Sequence, residues 1–253
     1  MRLTDLTANL ERVARWQQRL SGSAAEDILR WAASEFPGRI ALASSLGLED
    51  QVLTDMLARA ALGIRVFTLD TGRLFPETYE LMERTRARYG LDIRVMFPES
   101  AAVEEMVNRH GVNLFLEGIE LRKKCCRVRK LEPLWRALEG LDAWVTGLRR
   151  EQSVTRSRVE AIEWDQTNGL VKINPLADWP EARVWAYIQD HKVPYNPLHD
   201  CGFPSIGCSG CTRAVRPGED PRSGRWWWER PEHRECGLHR PVAFSKPESE
   251  VHQ

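Results

Sequence analysis

The sequence has no excess of either charge: 36 Lys and Arg face 36 Asp and Glu across 253 residues. It therefore projects no overall field toward nucleic acid or an anionic membrane, and any anion binding must come from local clusters. No apolar run approaches the roughly 20 residues that a membrane helix needs. The opening stretch, MRLTDLTANLERVARW, has no apolar core of the kind a secretory signal carries. A cytoplasmic, reducing location is expected, with neither a nucleic-acid nor a membrane partner. In that setting the six cysteines suggest metal binding or redox catalysis, not a disulfide framework. Two familiar phosphate loops are also missing: there is no G-x-x-x-x-G-K-[ST] and no G-x-G-x-x-G. No internal repeat or low-complexity segment occurs.

What is present is concentrated in residues 205–239, SIGCSGCTRAVRPGEDPRSGRWWWERPEHRECGLH. Cys208 and Cys211 stand at C-x-x-C spacing. Arg222 and Arg225 follow, then three consecutive tryptophans. A solitary Cys236 lies three residues before His239. Upstream, Cys125 and Cys126 lie in a run from 122 to 130 in which six of nine residues are basic.

Hydrophobic periodicity places these features on an α/β frame. Residues 1–35 read as two helices, the second over 24–34, with Leu6, Leu10, Val13 and Leu20 near one face of the first. Short buried strands are expected at 39–43, 64–69, 91–97 and 142–148, and a hairpin around Asn168-Gly169. Between them the pattern is helical. Pro76 suits the first turn of a helix, and Ser100 is expected to cap another. Val128, Leu131, Trp135 and Leu138 predict a helix that places Cys125 and Cys126 near its N-terminus, where thiolate is stabilised. Strand, polar loop and helix follow one another at residues 39–60. That layout turns backbone N–H groups toward an anion, or equally lets Ser44 or Ser45 cap the helix. After residue 192 the prolines at 194, 197, 204, 217 and 221 predict mostly loops. We expect a nucleotide-binding α/β domain over 1–200 and a C-terminal segment over 201–253 that completes a metal site and carries a reactive thiol.

Cys125, Cys126, Cys208 and Cys211 form a two-plus-two thiolate set that suits structural zinc or an iron–sulfur cluster. Zinc usually takes C-x₂₋₄-C on both sides, so the adjacent pair favours iron. Cys201 and Cys236 are left over. Cys236 has Arg234, His233 and His239 nearby in sequence, and cationic neighbours favour the nucleophilic thiolate.

These motifs resemble those of the bacterial, assimilatory adenylyl-sulfate reductases, within the phosphoadenylyl-sulfate reductase family. The resemblance runs from about residue 40 to 239. Its most specific marks are KCC at 124–126, SIGCSGC at 205–211 and ECGLH at 235–239. SSLGLED at 44–50, LDTGR at 69–73 and GLRREQS at 147–153 support it. The resemblance implies an adenine nucleotide alpha hydrolase-like fold, a modified Rossmann-type, mostly parallel sheet flanked by helices, with a loop-rich C-terminal tail. It implies a 4Fe-4S cluster on the cysteine quartet. It implies thioredoxin-dependent reduction of adenylyl sulfate to sulfite and AMP, through an S-sulfocysteine on Cys236. Ser44, Ser45, Gly47, Glu49 and Asp50, with Asp70, Thr71, Gly72 and Arg73, are then the expected nucleotide contacts. Arg149, Arg150, Arg222, Arg225 and His239 are candidates for the phosphosulfate, and Lys130 for a bridge between cluster and substrate. A homo-oligomer is expected. Cys201 falls where the family pattern has no cysteine. The rival readings are a 3′-phosphoadenylyl-sulfate reductase, a related nucleotide enzyme with a structural metal, and a zinc-stapled binding module. The nucleotide-enzyme rival usually carries a Ser-Gly-Gly-x-Asp-Ser loop, which is absent here.

Overall fold

The computed structural model describes residues 6–153, 156–230 and 237–238. Six strands form one sheet: β1 (Ile40–Ala43), β2 (Arg65–Leu69), β3 (Ile93–Met96), β4 (Ala143–Val145), β5 (Ile162–Asp165) and β6 (Leu170–Ile173). Their order is β3-β2-β1-β4-β6-β5. Every neighbouring pair is parallel except the β5–β6 hairpin. The central strands are short and apolar because helices cover both faces of the sheet. The expected strand over 142–148 keeps only Ala143–Val145. The hairpin closes beyond Asp165, whose carboxylate accepts the Thr167 and Asn168 N–H groups at 3.1 Å each, and Gly169 takes the left-handed conformation (φ 68°).

The flanking helices are α1 (Leu6–Arg19), α2 (Ala25–Glu35), α3 (Leu48–Arg59), α4 (Pro76–Tyr89), α5 (Ser100–His110), α6 (Ile119–Cys126), α7 (Glu132–Leu138) and α8 (Glu181–His191). Pro76 opens α4 as its sequence position suggested, and left-handed Gly90 ends it. Ser100 does not cap α5; it is the first helical residue, and Glu99 precedes it without a side-chain cap bond. The buried face of α1 also differs from expectation. Asn9, Val13 and Trp16 point inward, whereas Leu6 and Leu10 are exposed. Trp16 sets this rotation by packing edge-on against Trp31 and Phe36, with ring centroids 5.4 and 5.7 Å away.

The largest correction concerns the adjacent cysteines. They end α6 instead of starting a helix, and a five-residue π turn, Arg127–Leu131, carries the chain on into α7. The sequence pattern reads only the later helix, from Val128 to Leu138, and misses α6, whose basic residues show no apolar periodicity. At the carbonyl end of α6 the helix dipole does not favour thiolate. Positive side chains must supply that effect, and the π turn buries Arg129 and Lys130. Past α8, the described chain is mostly loop with short 3₁₀ turns, as its prolines predicted. Among the described residues no helix is long and apolar enough to cross a membrane.

Candidate active site

The order of strands reverses its direction of growth between β1 and β4, so the loops after these strands part. A crevice at the carboxyl ends is the usual result. A cleft of about 270 Å³ opens there. Its walls include Ser44, Ser45 and Gly47 from the β1 loop, Glu49 and Asp50 from the first turn of α3, and Thr71 from the β2 loop. Arg149, Arg222, Arg225 and Lys130 supply the basic part of the wall.

The β1 loop is organised by Asp50, in the first turn of α3. Its carboxylate reaches back to accept the Ser45 N–H and the Ser45 hydroxyl, both at 2.6 Å. Ser44 Oγ accepts the Leu46 N–H at 3.1 Å, and Leu46 adopts φ 60°. Gly47 occupies the cap position of α3 without a side-chain bond, so neither serine caps the helix. Burial pushes the Asp50 carboxyl up to about 6, even though the Ser45 hydrogen bonds pull it down.

The β4 loop presses onto this one. A Cβ on Gly147 would lie 2.5 Å from Asp50 Oδ1 and 2.8 Å from Glu49 Cβ. Arg149 donates from Nε to Glu49 at 2.7 Å and from Nη1 to the Trp179 carbonyl at 3.1 Å. Arg150 points elsewhere, to Asp178, Glu160 and the Val159 carbonyl, and does not border the cleft. In the β2 loop, Asp70 accepts the Gly72 N–H at 2.7 Å and the Tyr79 hydroxyl at 3.0 Å, and thereby shapes the turn. Arg73 projects to the far side, donating to Val112 and Asn113 and stacking 4.7 Å over Phe115.

That far side is the cysteine site. Cys125, Cys126, Cys208 and Cys211 are buried, and all four border one small cavity with Arg73, Arg122, Arg129, Lys130, Phe115 and Trp226. The fold thus joins pairs separated by 82 positions in sequence, from 126 to 208. Cys201 is exposed and borders neither cavity. Cys208 Sγ lies 3.3 Å from the Thr71 hydroxyl. Burial pushes the Cys208 thiol up, but Lys130, Thr71, Arg225 and Arg73 outweigh it and leave the thiol lowered. Burial raises the Cys125 thiol and, with the negative charge of Cys208, pushes Cys211 up to about 12. Among the described residues, no three His, Cys, Asp or Glu side chains converge as they would on a single metal ion. Two buried donors at the cavity wall, Arg129 Nε and Trp226 Nε1, have no hydrogen-bond partner among the described residues. Thiols, cations and unsatisfied donors around one cavity suit an anionic, sulfur-rich group.

Cys236 and His239 lie outside the described residues. The sequence reading missed Arg122, Arg129 and Glu229 as parts of the cysteine site. Arg122 and Arg129 were visible only as members of a basic run, and Glu229 had no local signal.

A mostly parallel sheet with polar loops at its switch point gives the protein the architecture of the α/β folds that bind ligands in that crevice. More narrowly, the chain belongs to the phosphoadenosine phosphosulfate reductase domain family, whose sequence profile matches residues 39–214. The adenosine 5′-phosphosulfate reductase of Allochromatium vinosum is 60% identical over 201 residues, 79% of this chain and 78% of that protein. The Burkholderia cepacia protein of the same name is 52% identical over 213 residues, 84% of this chain and 85% of that one. The crystal structure of a phosphoadenylyl-sulfate reductase from Candida auris superposes with a TM-score of 0.70 at 31% identity, covering 81% of this chain and 97% of that one. Candida glabrata FMN adenylyltransferase, at 18% identity and TM-score 0.52, shares the fold alone.

Proposed function

We propose that this protein reduces adenylyl sulfate to sulfite and AMP in sulfate assimilation, using thioredoxin as a separate reductant. The observation that carries the reading is a shared wall: Cys208 and Lys130 border both the nucleotide cleft and the cysteine cavity. The names of the relatives at 52–60% identity agree with it.

The β1 and β2 loops hold the nucleotide, and Lys130, Arg222 and Arg225 face its phosphosulfate. Arg149 acts through Glu49 by locking the two loops together. The thiolate of Cys236 attacks the sulfur of adenylyl sulfate, the S–O bond to phosphate breaks, and AMP leaves with that electron pair. A thioredoxin thiolate then attacks the cysteine sulfur of the S-sulfocysteine, and sulfite departs. The second thiol of thioredoxin clears the mixed disulfide, so a dithiol supplies both electrons. Residues 1–200 bind the nucleotide, and residues 201–253 complete the cysteine site and supply the nucleophile.

Cys125, Cys126, Cys208 and Cys211 would hold a 4Fe-4S cluster. Four buried thiols that border one cavity, with Arg and Lys side chains beside them, are a donor set that suits such a group. When bound, the cluster adds fixed charge beside the cleft and carries no electrons in the reaction. A reducing, cytoplasmic setting suits these thiols.

The test is a sulfite assay with adenylyl sulfate and its 3′-phosphorylated form, each with and without thioredoxin. Mass spectrometry of the reductant-free reaction completes it. A sulfonate mass on Cys236 and a higher kcat/KM for adenylyl sulfate are expected. An adduct on Cys201, or equal or reversed kcat/KM values, would overturn the reading.

A further inference from the structure

The deepest ion pair in the described structure joins Arg122 to Glu229. Their side chains are 1% and 3% exposed. The contact is bidentate: Nε donates to one carboxylate oxygen at 2.9 Å and Nη2 to the other at 2.8 Å. A pair this dry gains little net stability, because dehydrating two charges offsets their attraction. Its placement therefore points to a role in geometry.

Arg122 lies one helical turn before Cys126 on α6, so their side chains share a face. Burial works against its charge, but Glu229 and the Cys126 sulfur, to which it donates a hydrogen bond, hold the guanidinium charged. The same guanidinium sits 4.9 Å over the Trp226 ring. The backbone N–H of Trp226 in turn donates to the Cys211 carbonyl at 3.1 Å, and the Glu229 backbone N–H donates to the Trp226 carbonyl at 2.8 Å. One guanidinium thus touches the first cysteine pair, the carboxylate of Glu229 and the ring of Trp226, the residue whose backbone bonds to Cys211 of the second pair.

We propose that Arg122 and Glu229 form a clamp that holds the two cysteine pairs in register, with Arg122 a positioning residue for Cys126. The cluster then enters a site whose halves are already aligned. The proposal rests on the iron–sulfur reading of the quartet, and the experiment separates the two.

Purified protein is compared with Glu229→Gln, Arg122→Lys and the double variant Arg122→Met/Glu229→Met. The readouts are visible circular dichroism, the rate of metal loss to a chelator, thermal stability and AMP affinity. The single variants are expected to lose iron about ten-fold faster or more, the size of effect that outer contacts to metal ligands carry. They should alter the visible dichroism and leave AMP affinity unchanged. In the double variant apolar packing replaces the pair, so thermal stability recovers while iron loss stays fast and the dichroism stays altered. Wild-type iron retention and dichroism in the double variant would overturn the clamp, because packing alone would then suffice. Wild-type protein that carries zinc would defeat the iron reading, and zinc release from the same variants would decide the clamp.

Discussion

Asp50 and Ser45 close the β1 loop on itself: one carboxylate accepts both the backbone N–H and the hydroxyl of the same serine at 2.6 Å. The carboxylate is nonetheless almost fully buried, and burial outweighs the hydrogen bonds in setting its proton affinity.

The first prediction follows from that balance. Burial lifts the Asp50 carboxyl from 3.8 to about 6 in the folded protein. A raised carboxyl favours the protonated fold. Its contribution is therefore whole below about pH 4, declines as pH rises toward 6, and is lost above that. At about 1.4 kcal/mol per pH unit of displacement, the ionised group costs about 3 kcal/mol at neutral pH. Asp50→Asn removes the titration. Urea unfolding at pH 5 and pH 7.5 should show the variant gaining on wild type as pH rises. A constant difference between the two proteins would defeat the argument.

Gly147 tests how closely the β1 and β4 loops pack. The Cβ of Gly147→Ala would meet the Asp50 carboxylate at 2.5 Å and the Asp50 backbone nitrogen at 3.2 Å. The carboxylate is already held by Ser45, and the nitrogen belongs to a helix, so neither can yield easily. Overpacking of this kind costs about 1–3 kcal/mol. AMP affinity should fall with stability, because the same two loops frame the cleft. Unchanged unfolding midpoint and AMP affinity would show that the loops have room to part.

The sheet and most helices were legible in the sequence, because each rests on local pattern, and the four cysteines were grouped there by their paired spacing and thiol chemistry. Apolar runs mark the strands, Pro76 marks a helix start, and Asn168-Gly169 marks a turn. Features that depend on distant partners were hidden. Trp16, and not the leucine spacing, rotates α1, because its partners Trp31 and Phe36 lie far along the chain. The serines of the β1 loop do not cap α3, because Asp50 competes for Ser45. The cysteine pair falls at a helix end because a π turn follows it. Arg149 reads from the sequence as a candidate for the phosphosulfate, yet Glu49, one hundred positions away, engages it.

That Arg149–Glu49 bond gives the third prediction. The arginine side chain is 5% exposed and the glutamate 15%. Arg149→Ala leaves Glu49 beside the Asp50 carboxylate without its cation. Breaking a fully buried pair costs about 3–5 kcal/mol; partial solvent access to Glu49 reduces this to about 2–3 kcal/mol. Glu49→Gln keeps an acceptor for Arg149 and should cost less. In the double variant Arg149→Ala/Glu49→Gln part of the loss should return, since no stranded carboxylate remains. Strict additivity in thermal unfolding would mean that the two side chains act independently.

Lys130 gives the fourth. It is 9% exposed, lies in the π turn and borders both cavities. From there its positive charge reaches the Cys208 thiol, which it helps to lower, and the part of the cleft assigned to the phosphosulfate. Charge is lost in Lys130→Met while the aliphatic stem is kept, so stability should change little. Adenylyl sulfate gains a full leaving-group charge only as its S–O bond breaks, so a cation at this wall acts more on the transition state than on the bound nucleotide. The variant is expected to lose about 100-fold or more in kcat, the scale of removing one electrostatic contact to the transition state, with a smaller change in AMP affinity. Lys130→Arg, which restores the charge in a wider head, should recover part of kcat. A variant that lost AMP affinity and kcat in equal measure would assign Lys130 to nucleotide binding alone, and one that lost neither would remove it from the site.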